Sequence, residues 1–451
     1  MTAVTAVTAV TAQGAGRHTL RIVGVGDTDS YVKWGAALLG CAPAQWSSRF
    51  VVLETPLAVS AEQQGAALAG SGLPALAVSR LTLDEFQEQL TADPPDAVLV
   101  AARGPLARVI ARLVAHIEPR PVIVTGLPGI SIPATRKALL FRAQCDLFVL
   151  HSHREIASFT HVATSQRFEP RFALASLPFA VRARVDDTTS SRGTDLVFAA
   201  QAIVPLERED RLEVAALLIR AAKANPARRV VLKLRAAQGE HQTHSESMPL
   251  TDLIDELGGP PENLVTSTEP MRRALATAEG LVTISSTSAI EAIALGVPVI
   301  ALDSFGVAPE LINEVFEESG LYGSDDDVVH RRFHQPNKLW TRENYLHDAR
   351  DDDWGIRVLE LVALRHQGVL EPRAPLRRRG GVIRDAWERK LALGRFDKSV
   401  AGSLAMVIGV PLRAVVRAGQ RARRAMAPPV SAESQNCETP DAKSRPSAAS
   451  R

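Results

Sequence analysis

The chain has 451 residues, too many for one ordinary hydrophobic core, so two domains plus tails are expected. Hydrophobic residues make up 46% and charged residues 23%, as is normal for a globular protein. Cys41, Cys145 and Cys437 lie far apart with no Cys-x-x-Cys spacing, which argues against a zinc site and a disulfide framework and suits the cytosol. The net charge is only +2, but it is unevenly placed: residues 373–424 hold 14 Lys/Arg against 3 Asp/Glu, a net +11, which leaves −9 for the remainder.

Residues 1–17 repeat Thr-Ala-Val and lack a basic segment leading into an apolar one, so they read as a disordered tail and not a signal peptide. Leu20–Val25 is the first apolar strand of an N-terminal domain spanning 18–180. Phe50–Leu53, Ala97–Ala101, Val122–Thr125 and Leu147–Leu150 follow at strand length, separated by helical patterns such as Leu106-Ile110-Leu113-Val114. Strands that alternate with helices imply parallel sheets with right-handed crossovers. Ser176–Arg192, with a Pro, charges and a Thr-Thr-Ser-Ser run, is expected to be the linker. A C-terminal domain over 193–345 carries strands Leu196–Ala200, Val230–Leu234, Leu264–Ser267, Leu281–Ile284 and Val297–Leu302, and a helix Arg211–Ala224 that stops at Asn225-Pro226. Residues 346–425 read as a helical, basic extension, and 426–451 as a disordered tail. The fold class is therefore α/β, with two Rossmann-like domains facing a cleft and a helical basic C-terminal extension.

The block 281–302 is the most informative. It reads as strand, hydroxyl-rich turn, short helix, Gly stop and second strand, with Ser288 and Glu291 in capping-box spacing, Gly296 past the helix end and Pro298 after it. Ser285, Ser286, Thr287 and Ser288 sit where orphan N–H groups and the helix dipole would favour a phosphate. An ordinary, well-capped α/β turn is the plainer reading.

At the end of the first strand, Gly24-Val25-Gly26 lacks the third glycine of a dinucleotide fingerprint, because position 29 is Asp, whose charge would repel a pyrophosphate. Asp27 and Asp29 face the cleft at a strand's carboxyl end, where either can simply cap the next helix. Asp27-Thr28-Asp29 alone is weak as a metal motif. Lys233 and Arg235 alternate along a strand that should be buried, so they are expected near its carboxyl end or against an anion. The polar loop after them holds His241 and His244, too few ligands for zinc. Thr125–Pro133 is a Gly/Pro-rich loop after a strand. His151, His153 and Arg154 follow another strand, with Ser152 and Glu155 in capping-box spacing. Acceptor binding, with Arg154 or Arg136 holding an anionic group, competes there with a capped helix among surface polar groups.

The turn Ser285-Ser286-Thr287, Glu291 and Gly296-Val297-Pro298 resemble the nucleotide-sugar site of GT-B glycosyltransferases. Together with Gly26–Trp34, Thr125–Gly129, His151–Glu155, Lys233–Arg235 and Gly239–His244, they resemble a bacterial family of glycosyltransferases distantly similar to capsular polysaccharide transferases, over about residues 19–350. The His-Pro motif those transferases place after the strand corresponding to 230–234 is lacking.

The resemblance implies metal-independent, inverting transfer of a sugar from a nucleotide-sugar donor to a hydroxyl of a cell-surface glycan or lipid-linked acceptor. It implies Asp27 or Asp29 as base. Donor contacts would come from Lys233, Arg235, His244, Ser285, Ser286, Thr287, Ser288 and Glu291, and acceptor contacts from Lys33, Trp34, Arg136, His153 and Arg154. No cofactor is implied, since the nucleotide sugar is a substrate, and no nucleic-acid partner is expected. A nucleotide-sugar 2-epimerase, a polyol-phosphate transferase and a non-catalytic sugar- or polyanion-binding protein are the rivals. The basic stretch 373–424 reads either as an anionic-membrane contact at the inner face of the plasma membrane or as a helix packed back on the first domain.

Overall fold

Short apolar runs without polar alternation belong in sheets covered on both faces, and that is where they fold. The computed structural model describes residues 19–178, 180, 193–234, 248–375, 381–407 and 409. Strands β1 (Arg21–Gly26), β2 (Ser47–Leu53), β3 (Val78–Leu81), β4 (Ala97–Ala101), β5 (Val122–Gly126), β6 (Leu147–Leu150) and β7 (Phe172–Leu174) form a first sheet in the order β3-β2-β1-β4-β5-β6-β7. Strands β8 (Asp195–Ala199), β9 (Val230–Lys233), β10 (Leu264–Ser267), β11 (Ala278–Thr283), β12 (Val299–Leu302) and β13 (Tyr322–Gly323) form a second in the order β10-β9-β8-β11-β12-β13. The paired strands run parallel, for example β1 with β2 and β4, and β8 with β9 and β11.

The two-residue period of a strand sorts each run between two cores. Val98 and Val100 of β4 enter one hydrophobic cluster, and Ala97, Leu99 and Ala101 enter the other. In the second domain Leu196 and Phe198 of β8 go one way, Val197 and Ala199 the other. The chain thus makes two Rossmann-like α/β domains, the GT-B arrangement. Strands β3, β7 and β13 were not expected. β3 and β13 are partly exposed edge strands and β7 spans three residues, so none offers a long apolar run.

The expected extension 346–425 divides differently. The helix Trp354–His366 returns to the first domain and buries Trp354, Val358, Leu361 and Val362 in its core. These positions follow the i, i+4, i+7, i+8 stripe of an amphipathic helix. Trp354 packs edge-on against Trp46, with ring centroids 5.5 Å apart. Further on, the helix Gly381–Leu393 packs on the helix Gly104–Val114 of the same domain, with Arg112 paired to Asp385 and Arg108 Nε 3.7 Å from Glu388. The basic stretch is therefore docked at its start. Most of the expected linker (179 and 181–192), the tails 1–18 and 410–451, and the loop 235–247 with Arg235, His241 and His244 lie outside the described residues.

Trp354 connects the returning chain to the first core, so Trp354→Ala should lower stability by about 3–5 kcal/mol. Thermal unfolding checks this, and a loss below about 1 kcal/mol would show that the returning helix does not hold the first domain together.

Candidate functional site

Each sheet grows first to one side of its opening strand and then to the other. The crevice at the carboxyl end therefore lies between β1 and β4 in the first domain and between β8 and β11 in the second. In the first crevice β1 delivers Asp27, and β4 delivers Arg103, whose Nη2 lies 3.6 Å from Asp27 Oδ2. Thr55, just past β2, donates its hydroxyl to the same oxygen at 3.1 Å. Asp27 is fully buried, and its Oδ1 has no hydrogen-bond partner among the described residues. Neither do the buried Thr28 Oγ1 and Arg103 Nε. Burial pushes the Asp27 carboxyl above its ordinary pKa, against the lowering influence of Arg103 and Thr55. Asp29 is instead exposed in the first turn of the helix Asp29–Gly40. Neither Asp caps that helix: the N-cap residue is Thr28, whose side chain makes no cap bond.

One turn further, Lys33 crosses to the second domain, with Nζ 3.8 Å from Glu291 Oε1. The walls of the cleft meet there. On the second wall Gln201, directly past β8, clasps Ser285: the Ser285 N–H donates to Gln201 Oε1 at 2.9 Å, and Gln201 Nε2 donates to Ser285 Oγ at 3.0 Å. Ser286 Oγ accepts from the Ser288 N–H at 3.2 Å and pairs with the Ser288 hydroxyl at 2.8 Å. Thr287 Oγ1 accepts from Ile130 N–H of the first domain at 3.4 Å. The opening between Thr287 and Gly129 is so narrow that a Cβ on Gly129 would stand 2.6 Å from that oxygen.

Two expectations for this turn are corrected. Ser288 is the first residue of the helix Ser288–Ala294 and not its cap, and no capping box forms, because its hydroxyl serves Ser286 while Glu291 turns to Lys33. The N–H groups of Ser288, Ala289 and Ile290 are taken up by Ser286 Oγ, Ser286 O and Thr287 O, so the helix start does not present them as open donors. The helix end follows the sequence: Gly296 adopts φ +74°, its N–H meets Ile293 O at 3.0 Å, and Val297 N–H meets Ala292 O at 2.9 Å, a Schellman closure. Ser285 and Ser288 are buried, and Ser286 and Thr287 are half-buried at the boundary between the lobes. Lys233 ends β9, buried, with Nζ donating to Leu234 O.

The residues expected at the acceptor are largely used elsewhere. Trp34 is fully buried, and its indole N–H donates to His151 Nε2 at 2.7 Å. A Cβ on Gly126 would lie 2.4 Å from Trp34 Cζ2, so the ring is wedged into the core. With Nε2 accepting, His151 carries its proton on Nδ1 and donates to Ala175 O at 2.8 Å. Burial lowers its pKa, so it is a neutral core histidine. Arg154 donates to Val315 O at 3.1 Å and Glu314 O at 3.0 Å, which commits it to joining the domains. His153 lies 3.4 Å from Asp351 and edge-on to His347. Arg136 is held by Gln166, at the far end of the helix His153–Gln166, so roughly 20 Å of helix separates that anchor from Arg154.

Glu155 proved more than a capping residue. Ser152 Oγ does accept its N–H at 3.0 Å. Its buried carboxylate, however, accepts from Ser131 N–H (2.9 Å), Ser131 Oγ (2.5 Å), Tyr345 Oη (2.6 Å) and His151 N–H (2.8 Å). Desolvation, and then Glu155 itself, hold the Tyr345 phenol well above its usual pKa, so it remains a donor. Arg103, Thr55, Gln201, Ser131 and Tyr345 escaped the sequence reading. Arg103 and Gln201 lie just past β4 and β8, a position that points to the crevices only once the strand order is known.

The Asp27 site has a measurable electrostatic signature. A carboxyl whose folded pKa is raised is destabilising when ionised, so that contribution grows as pH rises from the ordinary carboxylate value through the raised one. Asp27→Asn should therefore gain in unfolding temperature over the wild-type chain between about pH 4 and about pH 7. An equal difference at both pH values would remove the desolvated-carboxylate reading.

No curated protein sequence matches the chain significantly. Solved structures share its fold. The S. aureus MnaA–UDP structure aligns at TM-score 0.50 and 12% identity, over 78% of this chain and 97% of that one. A UDP-GlcNAc 2-epimerase from Methanocaldococcus jannaschii in complex with UDP-GlcNAc and UDP aligns at 0.51 and 12%, over 75% and 99%. A "putative UDP-N-acetylglucosamine 2-epimerase" from Listeria monocytogenes aligns at 0.50 and 12%, over 80% and 100%. Residues 22–361 match one family model across both domains and the returning helix, and the chain belongs to that family, described as "Putative glycosyltransferase (DUF6716)".

Proposed function

We propose that this protein transfers a sugar from a nucleotide-sugar donor, held by the second domain, to a hydroxyl of an acceptor held by the first. The observation that carries this reading is the buried Asp27 carboxylate, with Oδ1 unpartnered beside Arg103, in a crevice whose rim meets the Ser285–Glu291 turn through Lys33. A buried acceptor atom without a donor is costly, and a hydroxyl that enters as the lobes part and uncover Oδ1 satisfies it. The family description and the UDP held by the fold relatives MnaA and the M. jannaschii epimerase support a nucleotide diphosphate as the leaving group.

In this mechanism the acceptor O–H lies against Asp27 Oδ1, and Arg103 holds the carboxylate in place. As the acceptor oxygen bonds to the anomeric carbon from the face opposite the nucleotide, Asp27 takes the proton, and the bond to the phosphate oxygen breaks. A carboxyl with a raised pKa is a stronger base than an exposed one, which selects Asp27 over Asp29. Negative charge grows on the departing diphosphate, and the hydroxyls of Ser286 and Thr287 and the cations Lys33 and Lys233 offset it. Glu291 exchanges Lys33 for the ribose hydroxyls.

Asp27→Asn should cut turnover by about 10²–10⁴-fold while donor affinity stays within about twofold; Asp29→Asn should keep most of the activity. The reverse ranking would move the base to Asp29. Ser286→Ala with Thr287→Ala should weaken donor binding in calorimetry by about tenfold, equal to about 1.4 kcal/mol. Unchanged affinity would place the diphosphate elsewhere. Incubation with UDP sugars separates the rivals: conversion to a 2-epimer without acceptor would identify an epimerase, and binding without any turnover a non-catalytic protein.

A further inference from the structure

The transfer mechanism leaves a helical hairpin at the C-terminal side unused. The helix Gly381–Leu393 leads into the short turn Gly394–Phe396, and a helical stretch at 400–407 folds back beside it. At 409 the backbone presses on Trp387, where a Cβ on Gly409 would stand 2.3 Å from Trp387 Cε3. One side of the hairpin is anchored. Ala392 and Leu393 bury in the core of the first domain, Arg389 bonds Asp84 at 2.6 Å and Asp397 at 3.1 Å, and Ala405 is buried.

The other side has the wrong polarity for water. Val400, Leu404 and Val407 are 75%, 58% and 73% exposed, and their i, i+4, i+7 spacing puts them on one stripe. Val382 and Ile383 are 75% and 58% exposed at the start of the first helix. Arg395 in the turn and Lys398 just past it are exposed; the hairpin 381–407 carries five basic against three acidic residues, and the sequence 373–424 as a whole a net +11. Apolar side chains set within a strongly basic segment match the chemistry of an anionic bilayer surface, apolar below and negative above. A second copy of the chain would bring like charge onto like charge, which disfavours that occupant.

The hairpin also has a position that matters. Gly394 abuts Pro56, with a Cβ at 394 falling 2.5 Å from Pro56 Cγ, and the preceding residue Thr55 donates to Asp27. The turn of the hairpin therefore touches the rim of the first-domain crevice. We propose that the stripe Val400–Leu404–Val407 inserts into the surface of an anionic bilayer and holds the Asp27 crevice beside lipid-borne acceptors. Adhesion rests on the hairpin alone; only the delivery of acceptors rests on the transferase reading.

Co-sedimentation of the full chain with vesicles tests this. The protein should pellet with phosphatidylcholine vesicles containing phosphatidylglycerol, stay in solution with phosphatidylcholine alone, and be released by salt. Val400→Asp with Leu404→Asp should reduce pelleting at least about tenfold, with the unfolding temperature and turnover on a water-soluble acceptor unchanged. Wild-type protein that ignores anionic vesicles, or a double variant that pellets like wild type, overturns the proposal. So does a double variant that turns a dimer into a monomer in light scattering while vesicle binding persists, since the stripe then joins copies of the chain. Vesicle binding without transfer activity would count against the transferase reading alone.

Discussion

Burying a carboxylate is costly unless donors compensate it, and Glu155 draws its donors from segments far apart in the chain. Ser131 comes from the loop after β5, the His151 N–H from the end of β6, and Tyr345 from the chain returning out of the second domain. With the charge removed from water, loss of any of these donors exposes a desolvation cost of about 1–3 kcal/mol. This gathering of donors closes the two lobes on each other. Arg154, its neighbour, extends the same clasp to the carbonyls of Glu314 and Val315. The same two lobes also meet at the rim of the crevices, where Lys33 reaches Glu291.

Much of the architecture was readable because burial in parallel sheets writes itself as uninterrupted apolar runs: β4, β5, β6, β8 and β12 are buried along their whole length. Edge strands such as β3, Val-Ser-Arg-Leu, write no such signal. The site was legible where chain position alone decides the matter. Asp27 and the Ser285–Glu291 turn lie at carboxyl ends of strands, and the topology brings such ends to the cleft. It was not legible where direction decides. Trp34 and Lys33 are adjacent in sequence, yet helical geometry sends one into the core and the other across to Glu291. Arg154 reads as a free cation until the carbonyls of another domain appear beside it. Arg103 and Gln201 stand in no motif, so only the strand order reveals that they border the two crevices.

The shared fold does not select a reaction, since sugar epimerases have the same two-lobed frame. What bears on this chain's chemistry is its own set of side chains: a desolvated acid with an arginine neighbour on one side, and a hydroxyl-lined turn braced by Gln201 on the other. The turn differs from a simple phosphate cradle, because its first amides are already bonded within the turn. Its hydroxyls are likewise engaged with one another and with the first domain, and Glu291 is paired with Lys33.

Gly129 has a mechanical consequence. A Cβ on it would stand 2.6 Å from the Thr287 hydroxyl oxygen, so the two lobes touch here with no room for a side chain. A single methyl at this position would press on Thr287, so that either that side chain turns and gives up its bond from the Ile130 N–H or the two lobes separate slightly. The fit between the lobes is thus set in part by an atom the chain lacks, which gives an engineer one position from which to vary it.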